Sequence, residues 1–224
     1  IESFLKDVLS KEDDIKVFFE LAGFSLLKEY KFEKGFMFSG DGRNGKGKSI
    51  ELLKRLVGVE NCSALTLKML NPENSDISQL FNKFLNVAGD IGNDDLKDTS
   101  MFKSLTGRDL ISARRKYLTV LNFQNYAKFI FSCNELPMVY DMSKGFWDRW
   151  VLLEFPYTFV DADEKAKNKD NLLYKLRDEG IIDKITSPEE MSGLLNQALI
   201  GLNRLLANRH FSYTLGTEEV KSRW

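Results

Sequence analysis

The chain holds a single histidine, His210, and two cysteines, Cys62 and Cys133, in 224 residues. One imidazole cannot build a His-rich metal centre. The two thiols sit in or beside apolar segments at no metal-ligand spacing, so reduced thiols in a cytosolic setting are the simple expectation. Charge of one sign is also lacking. Lys and Arg number 32 against 33 Asp and Glu, a formal net charge of −1, which counts against a protein that coats nucleic acid while leaving room for a few cations displayed at one place. No apolar run approaches the ~20 residues of a membrane span. The start, Ile1 to Phe4, lacks the basic end and apolar stretch of a signal peptide. A start at Ile1 without Met and an end at Trp224 in a charged segment suggest an excerpt of a longer polypeptide.

A hydrophobic content of 43% is enough for one α/β core of ordinary size with a small helical annex. Phe4, Leu5, Val8 and Leu9 share one helical face. Ile15, Phe18, Phe19, Ala22 and Leu26 share a second, with Ser10 as N-cap. Apolar strands are expected at Gly35–Ser39, Phe84–Ala88, Phe129–Ser132 and Trp150–Phe155, with a helix over Ser49–Val57 and a hairpin over Leu110–Phe123. From Asn171 onwards the pattern is helical, and Ser187-Pro188-Glu189-Glu190 opens a helix with a cap, an N1 proline and an acidic first turn. Strands alternating with helices imply a parallel sheet covered on both faces. Residues 161–170 read as a charged linker. The divisions are a helical segment over 1–32, a core over 33–160 and a second helical segment over 161–224.

The most specific signal is Gly42-Arg43-Asn44-Gly45-Lys46-Gly47-Lys48-Ser49, which fits G-x-x-x-x-G-K-[ST] between a strand and a helix. Glycines such as Gly42, Gly45 and Gly47, with Asn44 between them, let backbone N–H groups curl towards a phosphate. The following helix turns its positive end to the same anion. Lys48 reaches the β and γ phosphates and Ser49 coordinates Mg²⁺, which makes ATP with Mg²⁺ the expected ligand. Lys46 reads as a solvated charge.

A phosphate loop needs a carboxylate at the end of a neighbouring strand, and Asp90 closes the run Phe84–Gly89. Asp94 and Asp95 are candidates for the water-activating base, or caps of a short helix. Asn134 ends the third apolar run, either to position attacking water or as a turn residue before Glu135-Leu136-Pro137. Arg149 lies between two tryptophans. It can stack on an aromatic face, pair with Asp148, or reach a neighbouring subunit's nucleotide. Arg114-Arg115-Lys116-Tyr117 is the densest cationic cluster, at the tip of the expected hairpin. Arg115, Lys116 and Tyr117 there suit a single nucleic-acid strand, unless the tip is merely a solvated turn.

In this order the pieces resemble the superfamily 3 helicases, and most closely the primase-helicases of phages, plasmids and poxviruses. The shared stretches are Gly42–Ser49, Asp90, Phe102–Asp109, the basic hairpin, Cys133–Pro137 and Phe146–Trp150. The resemblance implies an AAA+-like fold and a homo-oligomeric, hexameric ring moving 3′ to 5′ on single-stranded DNA. It assigns Lys48 and Ser49 to the phosphate-loop motif and Asp90 to the metal-binding strand. It makes Asn134 the sensor of the γ-phosphate, Arg149 a finger acting in trans and Lys116 the cation that grips DNA. It also implies a covalently linked primase-polymerase domain, a winged-helix domain downstream, and a cytoplasmic site of action (the host's, for a virus). Two features depart from the pattern. Gly89-Asp90 replaces consecutive acids, which leaves the catalytic base open, and Asp148-Arg149 replaces paired arginines. The competing functions are an origin-melting initiator without processive unwinding, and a P-loop kinase or GTPase. Against the GTPase, Asn82-Lys83-Phe84-Leu85 lacks the acid of a guanine-reading motif.

Overall fold

A computed structural model describes residues 1–71, 75–89, 98–115 and 118–224. The chain opens with α1 (Glu2–Val8) and α2 (Glu12–Phe24), then β1 (Gly35–Ser39), α3 (Lys46–Val57) and β2 (Cys62–Ser63). Next come β3 (Leu85–Ala88), α4 (Ser100–Thr106), β4 (Leu110–Arg115), β5 (Leu118–Gln124) and β6 (Lys128–Cys133). Then follow α5 (Lys144–Trp147), β7 (Trp150–Glu154), β8 (Thr158–Val160), α6 (Ala162–Lys167) and β9 (Tyr174–Leu176). The chain ends in α7 (Ile181–Ile185), α8 (Pro188–Asn208) and α9 (Thr217–Arg223).

The fold is α/β. A five-stranded sheet runs in the order β2-β3-β6-β1-β7, and every pair in it is parallel. Its central strands, Gly-Phe-Met-Phe-Ser and Lys-Phe-Ile-Phe-Ser-Cys, are buried almost throughout, because helices cover both faces and no side of the strand meets water. Since β6 lies between β1 and β3, the carboxyl ends of three strands converge at Ser39, Ala88 and Cys133, the edge where parallel sheets meet ligands. The hairpin β4–β5 is antiparallel and stands apart from this sheet.

Helix α2 is buried nearly all round, not on one face as its pattern suggests. Helix α8 lies across its outer side through Leu194, Ala198, Gly201 and Leu205. The backbones touch at two glycines. A Cβ on Gly23 would come within 2.2 Å of the Ala198 carbonyl oxygen, and one on Gly201 within 2.6 Å of Phe19. The Glu20 carboxylate is fully buried there. It accepts from Arg204 Nε at 2.6 Å and from the Ser212 N–H and hydroxyl at 2.8 and 2.6 Å, so its charge is compensated on every side.

Three local expectations need correcting. Helix α2 begins after Lys11, and no side chain caps it; Ser10 is outside it. Helix α3 begins at Lys46 rather than Ser49, since its first turn is the phosphate loop itself. Residues 161–170 are no simple linker. Asp161 caps α6 by accepting from the Glu164 N–H, and β8 and β9 pair in parallel around that helix. The cap at Ser187 is as expected, accepting from the Glu190 N–H. The two cysteines are free, and burial pushes the Cys133 thiol up to about 11.

Lys128 opens β6 fully buried. Its ammonium donates to the carbonyls of Leu27 and Tyr126 and lies 4.6 Å from the Phe24 ring centroid. Burial lowers its pKa from 10.5 to about 7. Between those values the unfolded chain binds a proton that the folded chain does not, so stability rises with pH across that window. We expect denaturant midpoints measured from pH 7.5 to 9.5 to rise more steeply for the parent chain than for Lys128→Met. The difference should reach up to about 1.4 kcal/mol per pH unit; parallel slopes would show that Lys128 stays charged.

Candidate nucleotide site

The loop from Gly40 to Gly45 leaves β1 and turns into α3. Gly45 caps that helix at φ 94°, a left-handed conformation that glycine adopts without strain. A Cβ there would lie 2.4 Å from Val8 Cγ1, so α1 packs directly on the loop. At Gly42 and Gly47 a Cβ would meet nothing within 4 Å, which leaves an open concavity where an anion fits. Asn44 is buried and shapes the loop from within. Its Nδ2 donates to the Phe155 carbonyl at 3.3 Å and its Oδ1 accepts from the Lys46 N–H at 3.4 Å.

The loop's two lysines part ways. Lys48 is exposed, and no described residue engages its ammonium. Lys46, expected to be a solvated charge, is buried instead. It donates to the Gly40 carbonyl and, at 3.1 Å, to Asn134 Oδ1. The helical phase explains this: two residues apart are about 200° apart around the axis, so Lys46 faces the sheet and Lys48 the solvent. Lys46 thereby fastens Asn134, at the end of β6, to the loop at the end of β1.

Ser49 is fully buried, and its hydroxyl has no hydrogen-bond partner among the described residues. A buried unpaired hydroxyl costs about 1–3 kcal/mol, and a hard cation at the phosphates would satisfy it. No group of three or more His, Cys, Asp or Glu able to hold a metal occurs among the described residues. A hydroxyl beside a phosphate cradle fits Mg²⁺, which is ordinarily held by few protein oxygens together with substrate phosphates. Asp90, Asp94 and Asp95 lie outside the described residues. Gly89, just before Asp90, lines the same cavity of about 1150 Å³ as Gly42–Lys48, Ser132 and Asn134.

Arg149 neither stacks on a tryptophan nor pairs with Asp148. Its Nε donates to Thr106 Oγ1 at 3.0 Å, its Nη1 to the Gly145 carbonyl and its Nη2 to Glu33 at 3.2 Å. Asp148 accepts instead from the Thr217 hydroxyl. The Gly35 N–H donates to the Arg149 carbonyl at 2.7 Å, which sets Arg149 at the amino end of β1, a strand's length from the phosphate loop. In the hairpin, Arg114 is exposed on β4. The Arg115 side chain, Lys116 and Tyr117 lie outside the described residues.

Some contributors were given no role by the sequence. Thr106, inside the shared stretch Phe102–Asp109, and Glu33, outside every motif, hold Arg149 from 43 and 116 positions away. Phe159 and Glu164 hold the loop at Arg43: the Phe159 N–H donates to the Arg43 carbonyl at 2.7 Å, and the Arg43 guanidinium grips Glu164 at 2.9 and 3.1 Å. For Glu33, Phe159 and Glu164 no motif of the sequence pointed to these pairings.

Three comparisons bear on this arrangement. The profile described as "Family of unknown function (DUF5906)" matches residues 38–149, half of the chain and the part that carries the loop, Asn134 and Arg149. A protein of Acanthamoeba polyphaga mimivirus, provisionally named a helicase, is 26% identical over 188 residues, 81% of this chain and 19% of that protein. The apo structures of the NrS-1 C-terminal region share the fold. One has a TM-score of 0.56 at 18% identity, covering 97% of this chain and 46% of that one. Another has 0.54 at 16% identity over the same shares. The chain thus spans about a fifth of the mimivirus protein and under half of the NrS-1 region. No described helix is long and apolar enough to cross a membrane.

Proposed function

The chain belongs to the DUF5906 family, and we propose that it is the ATP-driven motor of a DNA helicase of the superfamily 3 type. It works as a hexameric ring, with ATP hydrolysed where subunits meet. The observation that carries this is the meeting of the phosphate loop, through Lys46 and Lys48, with Asn134 around one cavity at the carboxyl edge of the sheet, next to a buried Ser49 hydroxyl that has no partner among the described residues. The helicase name of the mimivirus relative supports it.

In hydrolysis, water attacks the γ-phosphorus, the bond to the β–γ bridging oxygen breaks, and ADP and phosphate leave. Lys48 neutralises charge on the γ-phosphate oxygens, and Asn134, fixed by Lys46, orients the water. Ser49, with Asp90 as the proposed carboxylate, would hold a Mg²⁺ ion, which would supply positive charge to offset that of the phosphates. Arg149 cannot reach the loop of its own chain from the amino end of β1, so its partner is a neighbouring subunit's γ-phosphate. Lys116, with Arg115 and Tyr117, grips single-stranded DNA. A linked primase-polymerase domain belongs to the same proposal.

The test is ATP hydrolysis with and without single-stranded DNA, with assembly state recorded. DNA should stimulate turnover in assembled rings, and Lys116→Ala should lose only that stimulation. If DNA leaves turnover unchanged in intact rings, the translocating motor is ruled out. An origin-melting initiator, the second candidate, would open short forked duplexes but not long ones.

A further inference from the structure

Helix α5 presents the Gly145 carbonyl to Arg149, yet it has only four residues, too few to stand without tertiary support. Asp141 supplies that support. Its Oδ1 accepts from the Ser143 N–H at 2.8 Å, a turn of the Asx type that leads into the helix. Its Oδ2 accepts from Lys103 Nζ of α4 at 2.9 Å and from the hydroxyl of Thr99, the N-cap residue of α4. Its backbone carbonyl accepts from the Trp147 indole at 2.8 Å. We propose that Asp141 is a positioning residue for Arg149: its carboxylate ties α4 to α5, and those two elements hold the guanidinium ready for the neighbouring subunit's nucleotide. This rests on the finger in trans proposed above and names the group that aims it.

Three observations carry the assignment. The first is where the guanidinium is held. Nε donates to Thr106 at the end of α4 and Nη1 to Gly145 in α5, the same two elements that the carboxylate joins. Lys103 and Thr106 are three residues apart, so they share a face of α4. The third partner, Glu33, belongs to neither element, and its side chain is 43% exposed, so it constrains the guanidinium least.

The second is the Thr106 hydroxyl. It donates to the Phe102 carbonyl at 2.8 Å, which commits its one proton and leaves a lone pair for Arg149 Nε at 3.0 Å. Arg149 is therefore aimed by wherever α4 stands. The third is that apolar burial alone does not account for the loop before α5. Met138, Tyr140 and Met142 are all more than half exposed, whereas the Asp141 side chain is 15% exposed. Burial opposes its ionisation, but the donors at Ser143, Thr99 and Lys103 outweigh it and hold the carboxyl well below the usual range. It accepts as a carboxylate, through the stronger, charge-assisted kind of hydrogen bond.

The test uses Asp141→Asn and Lys103→Met in rings of the full-length chain. The asparagine keeps an oxygen for the Ser143 N–H while losing the charge that faces Lys103. Lys103→Met cuts the same tie from a partly exposed side chain, so at least one variant retains the fold. Both should lower ATP turnover about 10- to 100-fold, the cost of a misplaced catalytic group, with ATP binding by single subunits unchanged. The distinguishing readout is the mixed ring. Asp141→Asn mixed with the double variant Lys46→Met, Lys48→Ala should rise above the turnover of Asp141→Asn alone, because the loop variant brings an aimed arginine. Mixed with Arg149→Ala it should not rise. Parent-like turnover in both variants overturns the proposal. So does slow turnover that no loop variant rescues, because Asp141 then serves its own subunit's site. Loss of ring assembly in both variants overturns it too, since the carboxylate then serves the interface and not the guanidinium. If Arg149→Ala itself gains nothing from the loop variant, the finger in trans has failed, and the proposal falls with it.

Discussion

Replacing Arg149 by alanine is expected to lower ATP turnover in assembled rings by about 10³-fold or more, the usual worth of an arginine finger, while ATP binding by single subunits is retained. The expectation follows from position. Gly35 pairs with Trp150 and Ser39 with Glu154, so β1 separates Arg149 from its own phosphate loop by five residues at about 3.3 Å each. A cis contact would need the strand to be absent. In a ring built by rotation, the amino edge of one sheet can face the carboxyl edge of the next. The three bonds that Arg149 makes to Thr106, Gly145 and Glu33 fix where the guanidinium stands. Their loss also makes thermal midpoint and oligomer mass necessary controls. The decisive measurement mixes two inactive variants. An Arg149→Ala subunit supplies an intact loop and a Lys48→Ala subunit an intact arginine, so mixed rings contain some complete sites and regain part of the activity. No recovery from well-formed mixed rings would overturn a finger in trans.

The second large effect belongs to the loop lysine. Lys48→Ala should hydrolyse ATP about 10²–10³-fold more slowly, the cost of removing one preorganised charge from developing phosphate charge. Its unfolding midpoint should match the parent's, because the side chain is exposed and bonded to no described residue. Lys46→Met should behave in the opposite way. It removes a buried ammonium from the Gly40 carbonyl and from Asn134, so stability should drop by roughly 1–3 kcal/mol along with turnover. Steady-state kinetics beside chemical denaturation of both variants separates the two roles. If Lys48→Ala turns over normally and Lys46→Met alone is dead with its fold intact, the phosphate lysine has been misassigned.

The sequence by itself determined the parts whose physics is local. Unbroken apolar runs at Gly35–Ser39 and Trp150–Glu154 have one stable use, as strands buried on both faces. A glycine-rich turn between such a strand and a helix turns backbone N–H groups and the helix's positive end to one side, the geometry that an anion would need. The cap at Ser187 and the β4–β5 hairpin were legible for the same reason. Tertiary structure decided whatever depends on which surface meets which. The sequence could not show that Lys46 is buried while Lys48 is exposed, since only the sheet beneath α3 distinguishes the two directions. Nor could it show that Arg149 answers to Thr106 and Glu33 rather than to Asp148 next to it, because a guanidinium takes the partners that the fold delivers. The arm built from β8, α6 and β9 remained hidden longest. Its strands have three residues each, mixed in polarity and split by a charged helix, too short for any periodicity. They stand beside the phosphate loop only because Arg43 and Asp7, far away in sequence, hold them in place.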